Sequence, residues 1–486
     1  MKKNEKKPSG KASFQFKIEY LEWAALILLF LILRQWIRLN GAGANGPDEE
    51  MRYYVVKYLY EHPGSLPRGD DPKLIDDMWG FSYALYPFLS SMGSAVLMWI
   101  QRLFNDSNES LHYAARMANV LYVLIAGKFA YMSGRKLWGG MKGFWLGTLI
   151  LFLPGFHYLG TYINSDALGL TAAAILFYAG ISVIKEGWSW KNCIWLSVGM
   201  SVCLLSYYYA YGWVLCSFFY FVLTILLCEK MPFLQRVKFM ITRGLVISAV
   251  TIGLAGWHFV RNFLIYDGDV LAMDYATELG NKNGVHGLSP ATHFTPAKAQ
   301  WNWKQLVFYQ NPGWEHNWLM MTLYSFAGAF GIYNIFMNET VNRLYLLFMA
   351  LGIAGTVFLL HEFDWRRRQV SVTKQRSKTV VIRTKVVHRY REGSREGLFH
   401  WMLVLTMIIP AAFFVYSCYY NDIQAQGRYL MAGVFGVMYF TVRTYAGVIE
   451  RFVKDARKHE IVYGVLSLIW ILAAVANYYL VVLPAY

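Results

Sequence analysis

Long apolar runs alternate with short charged stretches along nearly the whole chain. Apolar runs that are long enough to span a membrane occur near 20–39, 82–104, 113–134, 142–160, 165–185, 190–208, 211–228, 239–260, 317–337, 341–361, 399–418, 427–447 and 460–483. A helix needs about 20 mainly apolar residues to cross the hydrocarbon core. The pattern therefore predicts an all-α polytopic membrane protein with one transmembrane domain, residues 1–486, and no solenoid-type repeat.

Basic residues lie in patches between these runs, and the patches predict which runs cross. They are the N-terminal tail and residues 135–142, 185–191, 230–243, 362–398 and 451–458. Basic residues accumulate in cytoplasmic loops. All patches fall on that side only if the runs 82–104 and 317–337 do not cross. The rule then predicts about eleven spans, a cytoplasmic N-terminus, an outer C-terminus, and interfacial or re-entrant helices beside a cavity on the outer face.

This topology assigns the polar segments to the two faces. The outer face receives a first loop with interfacial helices, residues 40–112, and a long loop, residues 261–340. The stretch 362–398 becomes a basic cytoplasmic loop, which we interpret as an orientation signal that contacts anionic lipid. No cleavable signal is evident, so we expect the first apolar run to remain as an anchor.

Composition narrows the class of protein. The 486 residues are 56% hydrophobic and only 16% charged, which is too apolar for a soluble protein of this size. The net charge of +16 resides in the predicted inner loops, so it does not indicate a nucleic-acid partner. The five cysteines lie within or at the ends of apolar runs and resemble neither a metal site nor a disulfide framework.

The first dense cluster of acids follows the first apolar run. Pro47 and Asp48 predict a helix start at which Asp48 caps free amides, with Glu49 in the first turn. Arg52 comes one turn later and could pair with Asp48 on one face. An ordinary capped surface helix is the alternative interpretation of this stretch alone.

A second acidic site and several arginines share the predicted outer face. Asp166, in the stretch 164–166, either caps the next helix or joins Asp48 in a site. Arg261 and Arg428 lie at outer span ends, against the trend of basic residues to face inward. Together with Arg52 they indicate a site for an anionic ligand that carries hydroxyl groups.

At this point the motifs resemble those of polyprenyl-phosphate-dependent glycosyltransferases with the GT-C fold, which include protein O-mannosyltransferases and lipid A aminoarabinose transferases. The resemblance runs from residue 46 to about 430. It is carried by 47–49 (PDE) with Arg52, by 58–67 (YLYEHPGSLP), 115–117 (ARM), 164–167 (NSDA), Trp257 with Arg261-Asn262 and Tyr266, 325–331 (SFAGAFG) and 426–430 (QGRYL).

The resemblance implies roles for particular residues. The first-loop acid would be the catalytic base, which falls on Asp48 with Glu49 beside it, and the second acidic site falls on Asp166. The substrate-binding candidates are Arg52, Arg116, Asn164, Tyr208, Arg261, Gln426, Arg428 and Tyr429. Two stretches depart from the pattern. Residues 207–209 (YYY) stand where many bacterial relatives have a lysine near a tyrosine, and 266–269 (YDGD) differ from the usual Tyr-Gly-Asp order.

Such a reaction would move a sugar from a polyprenyl-phosphate donor to an acceptor hydroxyl outside the plasma membrane. The acceptor could be a polymer, a glycolipid or a protein of the cell envelope. A placed carboxylate base typically supplies ~10²–10⁴-fold, and direct attack would invert the anomeric carbon, whereas a retaining route needs a nucleophilic carboxylate close to the sugar. No cofactor is required, although two carboxylates could hold a divalent metal. A transporter or flippase of lipid-linked saccharides, and an inactive scaffold, are the alternatives.

Overall fold

The computed structural model describes residues 10–41, 43, 45–359 and 394–486, so most of the predicted basic loop 362–398 lies outside the described residues. The described chain is helical almost throughout, with one two-stranded hairpin. The helices are α1 (Gly10–Leu39), α2 (Glu49–Glu61), α3 (Leu89–Arg102), α4 (Asn108–Leu137), α5 (Gly140–Leu151), α6 (Pro154–Tyr158), α7 (Asp166–Glu186), α8 (Trp190–Leu204), α9 (Tyr211–Cys228), α10 (Phe233–Ile265), α11 (Met273–Asn283), α12 (Trp303–Val307), α13 (Trp318–Gly328), α14 (Glu339–Leu359), α15 (Ser394–Tyr420), α16 (Val434–Phe452), α17 (Ala456–Asn477) and α18 (Leu483–Ala485). Short 3₁₀ turns occupy 83–85, 208–210 and 427–433, and a π-turn occupies 478–482.

The all-α polytopic fold class is confirmed. Within the described residues, seven stretches are long and apolar enough to cross a membrane, namely Ile18–Leu39, Asp166–Glu186, Tyr208–Cys228, Phe233–Ile265, Arg395–Tyr420, Gly427–Phe452 and Ala456–Ala485. The predicted count of about eleven spans is not confirmed. The runs 82–104 and 317–337, which the charge pattern predicts not to cross, are absent from these seven.

Four further runs are absent from the seven: the run 341–361 extends beyond the described residues, and proline, length and charge explain the other three. The run 142–160 is broken, because α5 ends at Leu151 and Pro154 begins the separate helix α6. Helix α8 has 15 residues, a length of about 22 Å that is shorter than the hydrocarbon core. Helix α4 has 30 residues but carries Arg116 and Lys128 along its length.

Helix α7 is the centre of the bundle. Every residue from Asp166 to Val183 is buried, and α4, α8, α9, α15 and α16 pack around the helix. Small residues such as those at 172–174 allow neighbouring helices to approach closely. Its apolar character therefore reflects burial in protein on all sides, and its N-terminal residue Asp166 is held inside the fold.

The first loop, residues 40–112, contributes two helices beside the bundle. Helices α2 and α3 pack on each other, and α3 packs on α4. Helix α3 turns Ser90, Ser91 and Ser94 inward, whereas Trp99 and Ile100 are exposed. An apolar outer face is what an interfacial helix at a membrane surface presents.

The run 317–337 forms a short helix and a hairpin. Helix α13 is followed by β1 (Ala329–Phe330) and β2 (Ile335–Phe336), which pair antiparallel. Helix α13 packs on α6 and on the 3₁₀ segment 427–433. The approach is so close that a Cβ on Gly427 would lie 2.2 Å from the backbone nitrogen of Phe326. This packing fixes the position of the next residue, Arg428.

The long loop 261–340 is hydrogen-bonded to two other parts of the chain. The Val285 amide donates to the Met78 carbonyl of the first loop at 2.9 Å. The Ala297 amide donates to the Tyr419 carbonyl at the end of α15 at 3.0 Å. The loop thus connects the segment that carries Asp48 with the segment that leads to Arg428.

Candidate active site

Asp48 precedes the first turn of α2 and faces Arg428 of the segment 427–433. Its backbone is left-handed, with φ of 57°, and its side chain makes no capping hydrogen bond, so the predicted cap is wrong. The carboxylate instead accepts a 2.7 Å hydrogen bond from Nη2 of Arg428. The side chain keeps 30% of its surface exposed, which leaves it accessible to a substrate.

Arg428 joins the two acids that the sequence singles out. Its side chain is 2% exposed, and its Nη1 lies 3.9 Å from Oδ2 of Asp166. Nη2 also donates to the Tyr429 hydroxyl at 2.9 Å, while Nη1 is 3.5 Å from the Tyr162 hydroxyl. One guanidinium is therefore shared by Asp48 and Asp166, as a planar fork with five donors permits.

Arg52 lies in the same group but is oriented differently from the sequence prediction. Its Nη1 donates to the Ser165 hydroxyl at 2.6 Å rather than to Asp48. Its guanidinium lies 4.1 Å from the ring centre of Tyr83 and 5.4 Å from that of Tyr207. Nε and Nη2 are buried without a hydrogen-bond partner among the described residues. The rings of Tyr83 and Tyr207 thus hold the Arg52 guanidinium, whose Nε and Nη2 could still donate hydrogen bonds to a ligand.

A narrow cavity of about 20 Å³ lies beside these residues. Its walls include Asp166, Tyr207, Arg428 and Tyr429. Oδ2 of Asp166 and Nε of Arg428 are buried and make no hydrogen bond within the described part of the chain. A cavity of this size has room for about one water molecule. Unpartnered polar atoms around it mark a place where a polar ligand group would gain hydrogen bonds.

The charges around Asp48 fix its protonation state. Burial on its own would raise the pKa of Asp48, but the guanidinium groups of Arg428 and Arg52 and hydrogen bonds from Arg428 and Tyr83 outweigh it, so the pKa lies below its usual 3.8. Burial raises the pKa of Tyr83. At neutral pH the site therefore holds an ionised Asp48 beside a protonated phenol.

Glu49 is placed next to Asp48 but has no free oxygen. It accepts from the amides of Asn45, Gly46 and Ile163 and from Nε and Nη2 of Arg116. Burial would raise the pKa of Glu49, but hydrogen bonds from His112 and Arg116, together with the Arg116 charge, lower it to about 2. Both side chains are fully buried. Glu49 and Arg116 thus join the first loop to α4 and to the segment that precedes Asp166.

Asn164 and Tyr208 also make contacts within the protein. The Asn164 amide donates to the carbonyls of Leu159 and Tyr162, and its oxygen accepts from the Ala167 amide, so it shapes the start of α7. The Tyr208 hydroxyl donates to the Leu271 carbonyl of the long loop at 2.7 Å. Within the described part of the chain, neither side chain hydrogen-bonds to Asp48 or Asp166.

The remaining predicted residues fall into two places. Gln426 and Tyr429 flank Arg428, and Oε1 of Gln426 is buried without a partner in the described chain. Arg261 lies elsewhere, because its Nη2 donates to the Pro67 carbonyl at 2.5 Å and its guanidinium lies 5.7 Å from the Phe88 ring centre. Among the described residues, no hydrogen bond or ion pair joins Arg261 to the two acids.

Sequence reasoning missed four residues of the site. They are Tyr83, Tyr162, Ser165 and Tyr207. Ser165 and Tyr207 are direct neighbours of residues that the motifs name, so adjacency was an available signal. The chain contains 35 tyrosines, and nothing in their spacing separates Tyr83 and Tyr162 from the others.

A metal ion has no obvious ligand set here. No group of three or more His, Cys, Asp or Glu side chains that could hold a metal ion occurs within the described ranges. The space between Asp48 and Asp166 is occupied by the Arg428 guanidinium. A cation at that place would face the positive charge of Arg428.

Comparison with solved structures identifies the fold. The oligosaccharyltransferase of Archaeoglobus fulgidus in the apo form matches 95% of this chain with a TM-score of 0.52 and 13% identity, and the match covers 55% of that protein. The same protein matches with a TM-score of 0.51 in complex with Zn and sulfate, and of 0.50, as AglB, in complex with an inhibitory peptide and a dolichol-phosphate. ArnT from Cupriavidus metallidurans superposes less well, with a TM-score of 0.36, 14% identity, and coverage of 88% of this chain and 77% of ArnT.

The likeness is one of fold. No protein-family model matches the chain, and a search of curated proteins finds no similar sequence. The chain spans about half the length of the oligosaccharyltransferase that it matches. It has the GT-C fold of membrane glycosyltransferases.

Proposed function

We propose that this chain is a membrane glycosyltransferase that moves a sugar from a polyprenyl-phosphate donor to an acceptor hydroxyl. One observation carries the proposal. Asp48 and Asp166, which lie far apart in the sequence, share the buried guanidinium of Arg428 at the outer end of a GT-C fold. Sugar transfer from a phosphate needs a base for the acceptor hydroxyl and cationic donors for the departing phosphate. The acids and the unpartnered guanidinium donors at this cavity are suited to these two tasks.

Asp48 is the proposed general base. Of the two acids it is the more accessible, with 30% of its side chain exposed against 7% for Asp166. Its low pKa keeps it ionised, so it can accept a hydrogen bond from the acceptor hydroxyl. Deprotonation of that hydroxyl then accompanies its attack on the anomeric carbon, and direct attack inverts the configuration. Asp166 and Glu49 are proposed to orient the acceptor and the first loop, respectively.

Arg52 and Arg428 are the proposed ligands of the donor phosphate. The phosphate gains negative charge as the sugar leaves, and fixed guanidinium donors stabilise that charge. Arg52 offers Nε and Nη2, and Arg428 offers Nε, all buried and without partners in the described chain. The rings of Tyr83 and Tyr207 restrict Arg52 to one orientation, which lowers the entropic cost of binding. Arg261, Tyr208 and Gln426 remain candidates for contacts further along the donor.

The donor, face and location are parts of the proposal. The charge pattern of the loops supports a site outside the plasma membrane, with a cytoplasmic N-terminus. The A. fulgidus oligosaccharyltransferase was solved with a dolichol-phosphate, which supports a polyprenyl-phosphate carrier here. The acceptor is proposed to be a polymer, glycolipid or protein of the cell envelope. The outer loops 40–112 and 261–340 are proposed to frame the site.

The test is release of polyprenyl phosphate by the full chain reconstituted in liposomes. Undecaprenyl phosphates that carry radiolabelled mannose, glucose or aminoarabinose serve as donors, with crude cell envelope as acceptor. We expect turnover of one donor, loss of turnover in Asp48→Asn, and normal turnover in Asp77→Asn, an exposed acid of the same loop. Turnover that survives in Asp48→Asn would assign the base to another acid. Movement of intact donor across the bilayer without release would favour a transporter, and EDTA treatment tests for a divalent metal.

A further inference from the structure

Arg428 is connected to the long outer loop by an unbroken series of hydrogen bonds. Nη2 of Arg428 donates to the Tyr429 hydroxyl at 2.9 Å, and that hydroxyl donates to Oε1 of Gln424. Nε2 of Gln424 donates to Oδ2 of Asp422 at 2.8 Å. Nε2 of His293 lies 2.8 Å from the other oxygen, Oδ1 of Asp422. The series ends 2.7 Å from Asp48, through the same Nη2 of Arg428.

The direction of each bond follows from the carboxylate of Asp422. An ionised carboxylate only accepts, so Gln424 must present its amide nitrogen to Asp422 and its oxygen to Tyr429. The Tyr429 hydroxyl must then donate to Gln424, which leaves its lone pairs for Arg428. Without Asp422, Gln424 could turn over and donate to Tyr429 instead. The Tyr429 hydroxyl would then lose the acceptor that directs its proton away from Arg428.

The segment between His293 and Arg428 is anchored at several points. The Gln424 carbonyl accepts from the Trp318 indole at 2.9 Å and from the Cys418 thiol at 3.1 Å. On the loop side, Nζ of Lys298 donates to the His293 carbonyl at 2.9 Å. The rings of His293 and Trp79 of the first loop lie 6.1 Å apart. His293 thus lies where the first loop, the long loop and the segment 421–426 before Arg428 meet.

We infer that His293 is a positioning residue that acts on Arg428 through Asp422, Gln424 and Tyr429, and so couples docking of the long outer loop to the geometry of Asp48. Because Asp48 is the proposed base, this inference rests on the proposed function. His293 touches no reacting atom, so its effect appears in the rate of the chemical step rather than in donor binding.

Protonation of His293 determines how many of its two hydrogen bonds, to Asp422 and to the Gly287 carbonyl, can form at once. Its Nδ1 lies 3.0 Å from the Gly287 carbonyl and its Nε2 faces Asp422, so both nitrogens meet acceptors. Only the imidazolium has two N–H groups, and neutral imidazole must give up one contact. The charged groups that face the ring are Asp422 and, with opposite effect, Lys298, and the hydrogen bond to Asp422 raises the pKa of His293 above 6.5. Below that raised pKa the imidazolium therefore makes both contacts, and as the pH rises through it the neutral ring keeps only one of them.

The test measures kcat and KM against pH for four variants of the full chain in liposomes. We expect the wild type to lose kcat above the pKa of His293. His293→Ala and Asp422→Asn should lower kcat about 10- to 100-fold with little change in donor KM. His293→Gln, which can donate to Asp422 but cannot titrate, should restore much of kcat and remove the alkaline decline. His286→Gln, an exposed histidine of the same loop, should keep the wild-type profile.

Two results would overturn the inference. One is a kcat within about twofold of wild type in His293→Ala and Asp422→Asn. The other is an alkaline decline that persists in His293→Gln. Hydrogen exchange of residues 427–433 requires no donor, so it separates this inference from the proposed function. If the wild type turns over no donor, a pH-dependent change in protection that disappears in His293→Gln still supports the coupling, and identical protection in all variants contradicts it.

Discussion

Arg428 donates a 2.7 Å hydrogen bond to Asp48 across a sequence separation of 380 residues. The two residues meet because α13 packs closely on the 3₁₀ segment 427–433, and because the first loop is hydrogen-bonded to the residues that precede α7. The Arg428 side chain is only 2% exposed, so loss of Asp48 would leave a buried charge without its partner, which is costly. This pair therefore joins the first loop and the segment 427–433 into one site.

Replacement of Arg428 by lysine tests the shared guanidinium. Lysine keeps the charge but has one nitrogen in place of three, so it cannot contact Asp48, Asp166 and Tyr429 together. We expect Arg428→Lys to lower kcat about 10²- to 10³-fold, with a thermal unfolding temperature close to wild type. Turnover assays and thermal unfolding in detergent measure the two effects. Arg451→Lys, at the exposed end of α16, is the matched control, and equal activity of both variants would contradict the assignment.

Replacement of Arg52 by lysine tests the donor phosphate site. A lysine cannot stack between Tyr83 and Tyr207 as a planar guanidinium does, and it has no Nε or Nη2 to offer a phosphate. We expect the donor KM of Arg52→Lys to rise about 10- to 100-fold. Titration with undecaprenyl phosphate alone should show a matching loss of affinity. Arg68→Lys, which changes an exposed arginine of the same loop, should leave both quantities unchanged.

Glu49 should make stability depend on pH. Its pKa is about 2 in the folded protein against 4.5 for an unperturbed group, so its stabilising effect is complete above pH 4.5 and disappears as the pH falls towards 2. The linked free energy is on the order of 3 kcal/mol. We expect the wild type to lose unfolding free energy between about pH 5 and 2. Glu49→Gln should be less stable at neutral pH and show a smaller loss over this range, as measured by denaturant unfolding of the solubilised protein.

For Glu49, the control is Glu50→Gln, which alters an exposed neighbour in the same helix turn. It should retain the full acid dependence of the wild type. An acid dependence that is equally large in Glu49→Gln would show that other carboxylates carry it.

Gly427 should not tolerate a methyl group. A Cβ there would lie 2.2 Å from the Phe326 amide nitrogen, which belongs to the backbone and cannot turn aside. We expect Gly427→Ala to cost about 1–3 kcal/mol and to lower turnover as Arg428 is displaced. Gly253→Ala is the control, since a Cβ at that position of α10 meets nothing within 4 Å. Normal thermal stability and turnover in Gly427→Ala would show that α13 can move away freely.

The sequence was sufficient for the fold class and for the location of the charged motifs. The positive-inside pattern marked two runs as not crossing, and the structure forms a short helix at 89–102 and a helix with a hairpin at 318–336. The motifs also brought Asp48, Asp166, Arg52 and Arg428 into consideration together. The fold class is predictable because apolar periodicity and composition are properties of the whole chain, whereas the sidedness of the loops remains a prediction.

Local orientation could not be predicted in the same way. Asp48 was expected to cap α2, yet its left-handed backbone turns the carboxylate towards Arg428. Arg52 was expected to pair with Asp48 one turn away, yet Ser165 lies closer to its Nη1. Both outcomes depend on tertiary packing that brings α7 and the segment 427–433 against the first loop. Spacing along one helix contains no information about partners that arrive from other helices.

The distance in sequence between Asp48 and Arg428 also determines when the site can exist during synthesis. Arg428, which joins the two acids, is synthesised 380 residues after Asp48. Until that residue is made, the two carboxylates lack their shared cation. The site therefore becomes charge-complete only after helices α1 to α15 have been synthesised.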